Sequence, residues 1–178
     1  MNSEIEQAHW RELVITSQAK QYRSSGRLRQ WLQRKHQLSW QEAEAVIASL
    51  VVDGYVDDLA YARSIAIQHR GRQAESHQKF AQRLAGLGVD RQLIPRAIEE
   101  RKRQDGSDLQ LLQGFLRSFA ESLRHLRDSQ SAEGSEAWLQ EQKELDRIHQ
   151  ALLRRGFRES DWRKLCSRWG LDLARWYR

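Results

Sequence analysis

The stretch Ile47-Ala48-Ser49-Leu50-Val51-Val52-Asp53-Gly54-Tyr55-Val56-Asp57-Asp58-Leu59-Ala60-Tyr61-Ala62 decides the fold class. Its first residues continue an apolar face that starts at Ala43 and Val46 with helical spacing. Gly54 then ends that helix, because glycine takes up the left-handed geometry of a helix stop without steric cost. Asp57 and Asp58 stand where the next helix needs a cap. Leu59, Ala62, Ile65 and Ala66 give that helix its apolar stripe, to about Arg70.

The same punctuation runs outward in both directions. Upstream, Ser39-Trp40-Gln41-Glu42 has the form of a capping box, in which hydroxyl and carboxylate satisfy each other's free amides. Ser24 or Ser25 caps a helix with Leu28, Trp31 and Leu32 that ends near His36, and a first helix covers about 3–20 with Ile5, Trp10, Leu13 and Val14. Downstream, a helix over 76–87 carries Phe80, Leu84 and Leu87 and stops at Gly88. Asp90 opens a short helix with Ile94, Ala97 and Ile98, whose regular part begins near Ile94 or bends, since Pro95 lacks an amide hydrogen. Ser107-Asp108 start a helix over 108–127 with Leu112, Phe115, Leu116, Phe119, Leu123 and Leu126; 128–136 reads as a loose linker. A last pair, 137–155 and 160–169, flanks Gly156-Phe157.

Composition agrees. The 178 residues hold 39 Leu and Ala against 15 Val, Ile and Thr, the balance of a helical chain, so the fold class is all-α. No apolar run approaches the roughly 20 residues of a membrane span. The polar, acidic start at Met1–Glu6 predicts no secretory signal, and the cytoplasm is the expected location. Cys166 is the single cysteine, which excludes an intramolecular disulfide and a cysteine-based zinc site.

An internal repeat emerges when Leu38, Val89 and Phe157 are taken as anchors. Apolar or small residues follow each at +5, +8 and +9: Ala43, Val46, Ile47; Ile94, Ala97, Ile98; Trp162, Leu165, Cys166. A helix precedes each anchor with inner positions Leu28 and Leu32, Phe80 and Leu84, or Ile148 and Leu152. Gly88 and Gly156 take the junction, and His36 is expected to serve in the first copy after a one-residue offset. Three helix–stop–helix copies, each too small to bury its own face, predict a modular array. The expected organisation is 1–75, first helical repeat with the N-terminal helix; 76–104, second repeat core; 105–136, acidic inserted helix and linker; and 137–178, third repeat and tail. Helix 108–127 is expected to pack back onto the third repeat, because its apolar stripe will not stand free.

Charge is segregated along the chain. Residues 20–35 carry six basic side chains and no acid, and 76–104 carry seven basic and three acidic. Residues 105–146 carry four basic and nine acidic, and 147–178 nine basic and three acidic. Basic segments therefore coincide with the repeats and suit a polyanion, or the acidic surface of a protein that carries one. Arg27, Arg29, Arg34, Lys35, Arg70, Arg72, Lys79, Arg83, Arg154 and Arg155 are the candidate binding residues. Gly54, Tyr55, Asp57, Asp58, Gly88, Gly156 and Phe157 are the structural motif positions.

Catalytic chemistry finds no carrier. The six histidines show no paired i, i+4 arrangement for a metal, the glycines are scattered singly rather than grouped in a phosphate loop, and no cofactor or metal is expected. Asp57 and Asp58 are adjacent and diverge on a helix, so both read as caps rather than as a catalytic pair. Cys166 falls on the apolar face of the last repeat and reads as packing. Trp40, Trp138, Trp169 and Trp176 could stack on bases, whereas Trp31 and Trp162 are assigned to the core.

The segment Gly54-Tyr55-Val56-Asp57-Asp58-Leu59-Ala60-Tyr61-Ala62 resembles the signature of the bacterial RecX regulatory proteins, in which L-x-x-x-G-Y is followed by L-D-D and an aromatic-Ala pair. Arg23-Ser24-Ser25-Gly26-Arg27-Leu28-Arg29-Gln30-Trp31-Leu32 is similar to that family's R-x-S-x-x-x-L-R-x-x-L helix. Leu84-Ala85-Gly86-Leu87-Gly88-Val89 and Leu152-Leu153-Arg154-Arg155-Gly156-Phe157 resemble its later repeats. Departures are Lys35-His36 for K-G, Ser76-His77 for Gly-Pro, Arg83-Leu84 for E-L and Leu87-Gly88 for a second K-G. The resemblance implies three tandem three-helix repeats forming an elongated, curved helical array. It also implies a non-enzymatic, monomeric regulator that binds RecA and the RecA–ssDNA filament. Such a regulator inhibits RecA's ATPase, filament extension and strand exchange in DNA repair and the SOS response. The alternatives are a stand-alone basic helical protein binding ssDNA or dsDNA without RecA, and a helical adaptor for an acidic protein; none involves a membrane.

Overall fold

The computed structural model describes residues 2–129 and 131–175, and among them every regular element is helical. The helices are α1 (Asn2–Lys20), α2 (Ser25–His36), α3 (Trp40–Val52), α4 (Asp58–Gln68), α5 (His77–Gly86), α6 (Ile94–Asp105), α7 (Asp108–Leu116), α8 (Ala120–Asp128), α9 (Glu136–Arg154) and α10 (Glu159–Arg168). Trp176 lies outside the described residues, as does the side chain of Ile5.

Side-chain caps set the helix starts. Ser24 accepts from the Arg27 amide ahead of α2, and Ser39 and Glu42 form the reciprocal capping box of α3. Asp57 Oδ1 accepts from the amides of Leu59 (2.8 Å) and Ala60 (2.9 Å) ahead of α4. Ser76, Ser107 and Ser135 cap α5, α7 and α9. Pro95 is the second residue of α6, inside the first turn, where its missing donor costs no ladder bond.

Helix stops follow one pattern with one correction. Gly88 and Gly156 have φ of 78° and 76°. The anchor amide that follows each bonds five residues back, Val89 to Leu84 O at 3.1 Å and Phe157 to Leu152 O at 3.3 Å. In the first copy the left-handed residue is Gln37, at φ 58°, and not His36, which remains helical. The left-handed residue therefore directly precedes Leu38, Val89 and Phe157 alike, and the expected offset at His36 is absent. Glutamine tolerates this geometry poorly compared with glycine, so the position was hidden in the sequence.

The chain forms two compact units: residues 1–67 with 81–101, and residues 68–80 with 102–178. The first unit has a core built on Val14, Leu28, Leu32, Val46, Ile47 and Leu50 from α1, α2 and α3. The second collects Leu112, Phe115, Leu116, Leu123 and Leu126 of α7 and α8 with Leu145, Ile148, Leu152, Trp162 and Leu165 of α9 and α10. Burying each such side chain stabilises by roughly 1.5–3 kcal/mol. The 108–127 stripe thus shares its core with the last helix pair, but not as one helix. A 3-10 turn at Arg117–Phe119 separates α7 from α8, and the Ser118 hydroxyl donates back to Phe115 O at 2.7 Å, drawing the turn tight.

Each unit fastens the start of one helix in the same way. In the first, the Ser25 amide and hydroxyl both donate to Asp58, at 2.7 Å each, and the Asp90 amide reaches the same carboxylate at 2.6 Å. The Ser24 hydroxyl donates to Leu87 O at 2.5 Å and the Gly26 amide to Gly88 O at 3.0 Å. A Cβ on Gly26 would stand 2.5 Å from Gly88 O, so only glycine permits this approach. In the second unit, the His77 amide donates to Asp108 Oδ1 at 2.8 Å and the His77 ring bonds the same oxygen. The Ser76 amide donates to Arg155 O at 3.0 Å, where the left-handed Gly156 follows. Asp58 was expected to cap its own helix; it instead serves the first free amide of α2, while Asp57 alone caps α4.

Candidate functional site

Helical spacing gathers the basic residues of α2. Arg27, Trp31 and Lys35 follow at i, i+4 and i+8, with Arg34 beside them, so one stripe about 12 Å long carries three cations and a tryptophan. Arg34 and Lys35 are exposed, and Arg34 makes no ion pair among the described residues. Arg27 donates to Gly86 O at 3.2 Å. Arg29 points to the other side, where it pairs with Glu44 of α3. Arg83, in the same unit, is half-buried.

Between α1 and α2 lies a groove of about 570 Å³, lined by His9, Glu12, Leu13, Thr16, Ser17, Arg23, Trp31, Lys35 and His36. Trp31 was expected in the core; it is half-buried, packed against the core on one side and open to this groove on the other. The guanidinium of Arg23 and the ammonium of Lys35 each stand 6.0 Å from its ring centroid, and the His36 ring meets it edge-on at 4.8 Å. Arg23, Trp31, His9 and His36 are the residues that sequence reasoning did not bring together. The signal available was the i, i+4 step from Trp31 to Lys35.

The basic residues of the second unit divide by role. Arg72 and Arg154 are exposed and without ion pairs among the described residues, and Lys79 is half-buried with its stem against Gly156. Arg70 pairs with Asp105 at 2.8 Å. Arg155 lies with its guanidinium 5.0 Å from the Phe115 centroid and donates to Ala74 O at 3.3 Å and Gln73 Oε1 at 3.4 Å. It is therefore a packing residue as much as a surface cation.

A second cavity of about 920 Å³ is lined by His149, Glu159, Arg163, Ser167, Leu171, Leu173 and neighbours. Burial pushes the Glu159 carboxyl up, but bonds from Arg163 and His149 outweigh it and hold the group below the usual carboxylate range. His149 stacks on the buried Trp162 at 5.9 Å. Burial pushes the Cys166 thiol up to about 12, which leaves it protonated and unreactive at neutral pH. No group of three metal-ligating side chains comes together among the described residues, and none of their helices is long and apolar enough to cross a membrane.

Of the motif positions, Gly54 is left-handed at φ 75°, Tyr55 is exposed, and Phe157 is buried as the third anchor. Trp40 is 60% exposed at the start of α3, whereas Trp138 and Trp169 lean on the core of the second unit. No family model matches this chain, and neither a curated protein nor a solved structure does.

Proposed function

We propose that this chain is a RecX-like regulator that binds RecA and the RecA–ssDNA filament and inhibits ATP hydrolysis, filament extension and strand exchange. It acts by occupying a surface and performs no chemistry of its own. The reading includes three tandem three-helix repeats, the first within 1–75, the second with its core at 76–104 and the third within 137–178, with 105–136 as an inserted segment. It places a monomeric protein in the cytoplasm.

The observation that carries the repeat reading is the fastening used twice. A serine cap is followed by a residue whose amide donates to an aspartate some thirty positions on, and a left-handed glycine from a later helix end lies beside the cap. Two unrelated helix pairs would have no reason to share this wiring. Support for a polyanionic partner comes from the exposed cations near helix ends, Arg34 and Lys35 in one unit and Arg154 in the other. Several weak contacts on one chain raise avidity well above that of any single contact.

The test is RecA ATP hydrolysis on single-stranded DNA with the purified chain added at low ratio. A slowed rate is expected, and an unchanged rate under saturating DNA overturns the proposal. DNA affinity without an effect on RecA would favour the stand-alone DNA-binding reading, to which the basic stripe of α2 also lends itself.

A further inference from the structure

We infer that the groove between α1 and α2 is a nucleotide subsite for single-stranded DNA, with a base stacked on Trp31 and the adjoining phosphates held by Arg23 and Lys35. The inference deepens the DNA contact of the proposed function and rests on that reading only for its biological setting.

Three features of the groove favour this occupant. Its volume of about 570 Å³ lies within the roughly 300–1,000 Å³ of small-ligand sites and admits a nucleotide. Trp31 is held from behind by the core of its unit and edge-on by His36, so it is a fixed platform. Base–aromatic stacking needs such a platform and tolerates any base. Arg23 and Lys35 stand over the ring at 6.0 Å from its centroid, the outer limit of a cation–π contact, and both have long rotatable stems that can swing aside for a base. Two cations flanking one aromatic ring match the alternation of phosphate and base along a single strand.

Glu12 also lines the groove and repels phosphate from its own part of the wall, while Thr16 and Ser17 add hydroxyl donors there. The arrangement selects against duplex DNA, whose bases are paired and stacked and cannot enter a groove between two helices without being unpaired. An acidic peptide would use the two cations equally well but would leave the tryptophan idle. The tryptophan is what decides between them.

The experiment measures binding of the full chain to fluorescein-labelled oligo(dT), to duplex DNA of the same length and to poly-L-glutamate, by anisotropy between about 50 and 200 mM salt. Oligo(dT) is expected to bind more tightly than either competitor. Trp31→Leu should weaken oligo(dT) binding roughly 10-fold with the salt slope unchanged, and Trp31→Phe should restore most of it. The double variant Arg23→Gln/Lys35→Gln should reduce the salt slope by about 1.4, corresponding to two single-strand phosphates. Both cations lie outside the core, so this variant decides the matter even if Trp31→Leu does not fold. An unchanged salt slope overturns the inference, and so does poly-L-glutamate binding as tight as oligo(dT). RecA ATP hydrolysis measured on the same samples separates the two claims. Oligo(dT) bound through this groove with RecA unaffected keeps the subsite and breaks the regulator reading. RecA slowed with no oligo(dT) affinity keeps the regulator and overturns the subsite.

Discussion

The two fastenings, at Ser25 in the first unit and at His77 in the second, use the same plan with different chemistry. Asp58 is 5% exposed and receives three hydrogen bonds, two from Ser25 and one from the Asp90 amide. Asp108 has a side chain 28% exposed, and both of its bonds at this fastening come from His77. The first unit closes its helix start with a buried carboxylate that accepts three hydrogen bonds; the second uses a shallower carboxylate bonded by the amide and ring of one residue. Burial and partner count, more than the shared aspartate, set what each is worth.

The largest expected effect separates the two directly. Asp58→Ala leaves the Ser25 and Asp90 amides without their acceptor in a buried setting, and should cost about 3–4 kcal/mol. Asp108→Ala should cost only about 1–2 kcal/mol. Denaturant unfolding of the full chain, with amide exchange at Ser25 and His77 followed in the same samples, measures both. Equal losses would remove the distinction.

Acid provides the next test. Burial pushes the Asp108 carboxyl up, but bonds from the His77 ring and amide and the charges of His77 and Arg158 win, leaving the group below its ordinary value. A carboxylate depressed in the folded state contributes stability that is fully present above its unfolded value, near 3.9. That contribution fades as pH falls through the folded value. Protection of the His77 amide should therefore decline below about pH 4, and Asp108→Asn should abolish that pH dependence. A decline that survives in Asp108→Asn assigns the acid sensitivity to another group.

The smallest effect concerns the neighbouring arginines of the second fastening. Arg155→Ala removes a cation from the Phe115 face and two hydrogen bonds, for a loss of about 1–2 kcal/mol. Arg154→Ala, one residue earlier and exposed, should stay within about 0.5 kcal/mol. Thermal melting reads both. Reversal of Arg155 is for this reason a poor probe of partner binding, and Arg154 is the better one.

Much of the fold was legible because its signals are local. Ser39 with Glu42, Ser107 ahead of α7 and the start of α6 at Ile94 each depend on a side chain and an amide within about one turn. The apolar faces were legible too, since Ala43, Val46 and Ile47 and likewise Trp162, Leu165 and Cys166 are all buried. Of Ile94, Ala97 and Ile98 only Ala97 is buried, while Ile94 and Ile98 are half-buried. Gln37 was not legible, because nothing in a glutamine announces a left-handed backbone. The candidate site was half legible: the basic stripe of α2 follows from spacing, but the groove that opens beside Trp31 exists only once α1 packs alongside.

The sequence by itself determined where helices begin and end and which face of each is apolar, because capping and periodicity act over three or four residues. Only the tertiary structure decided whom Asp58 serves, why Gly26 admits no side chain, and which arginines remain free. Those outcomes depend on partners some thirty to eighty positions away in the chain. A carboxylate or guanidinium reaches whichever amide, carbonyl or ring the packing brings near, and its own short-range sequence carries no record of that choice.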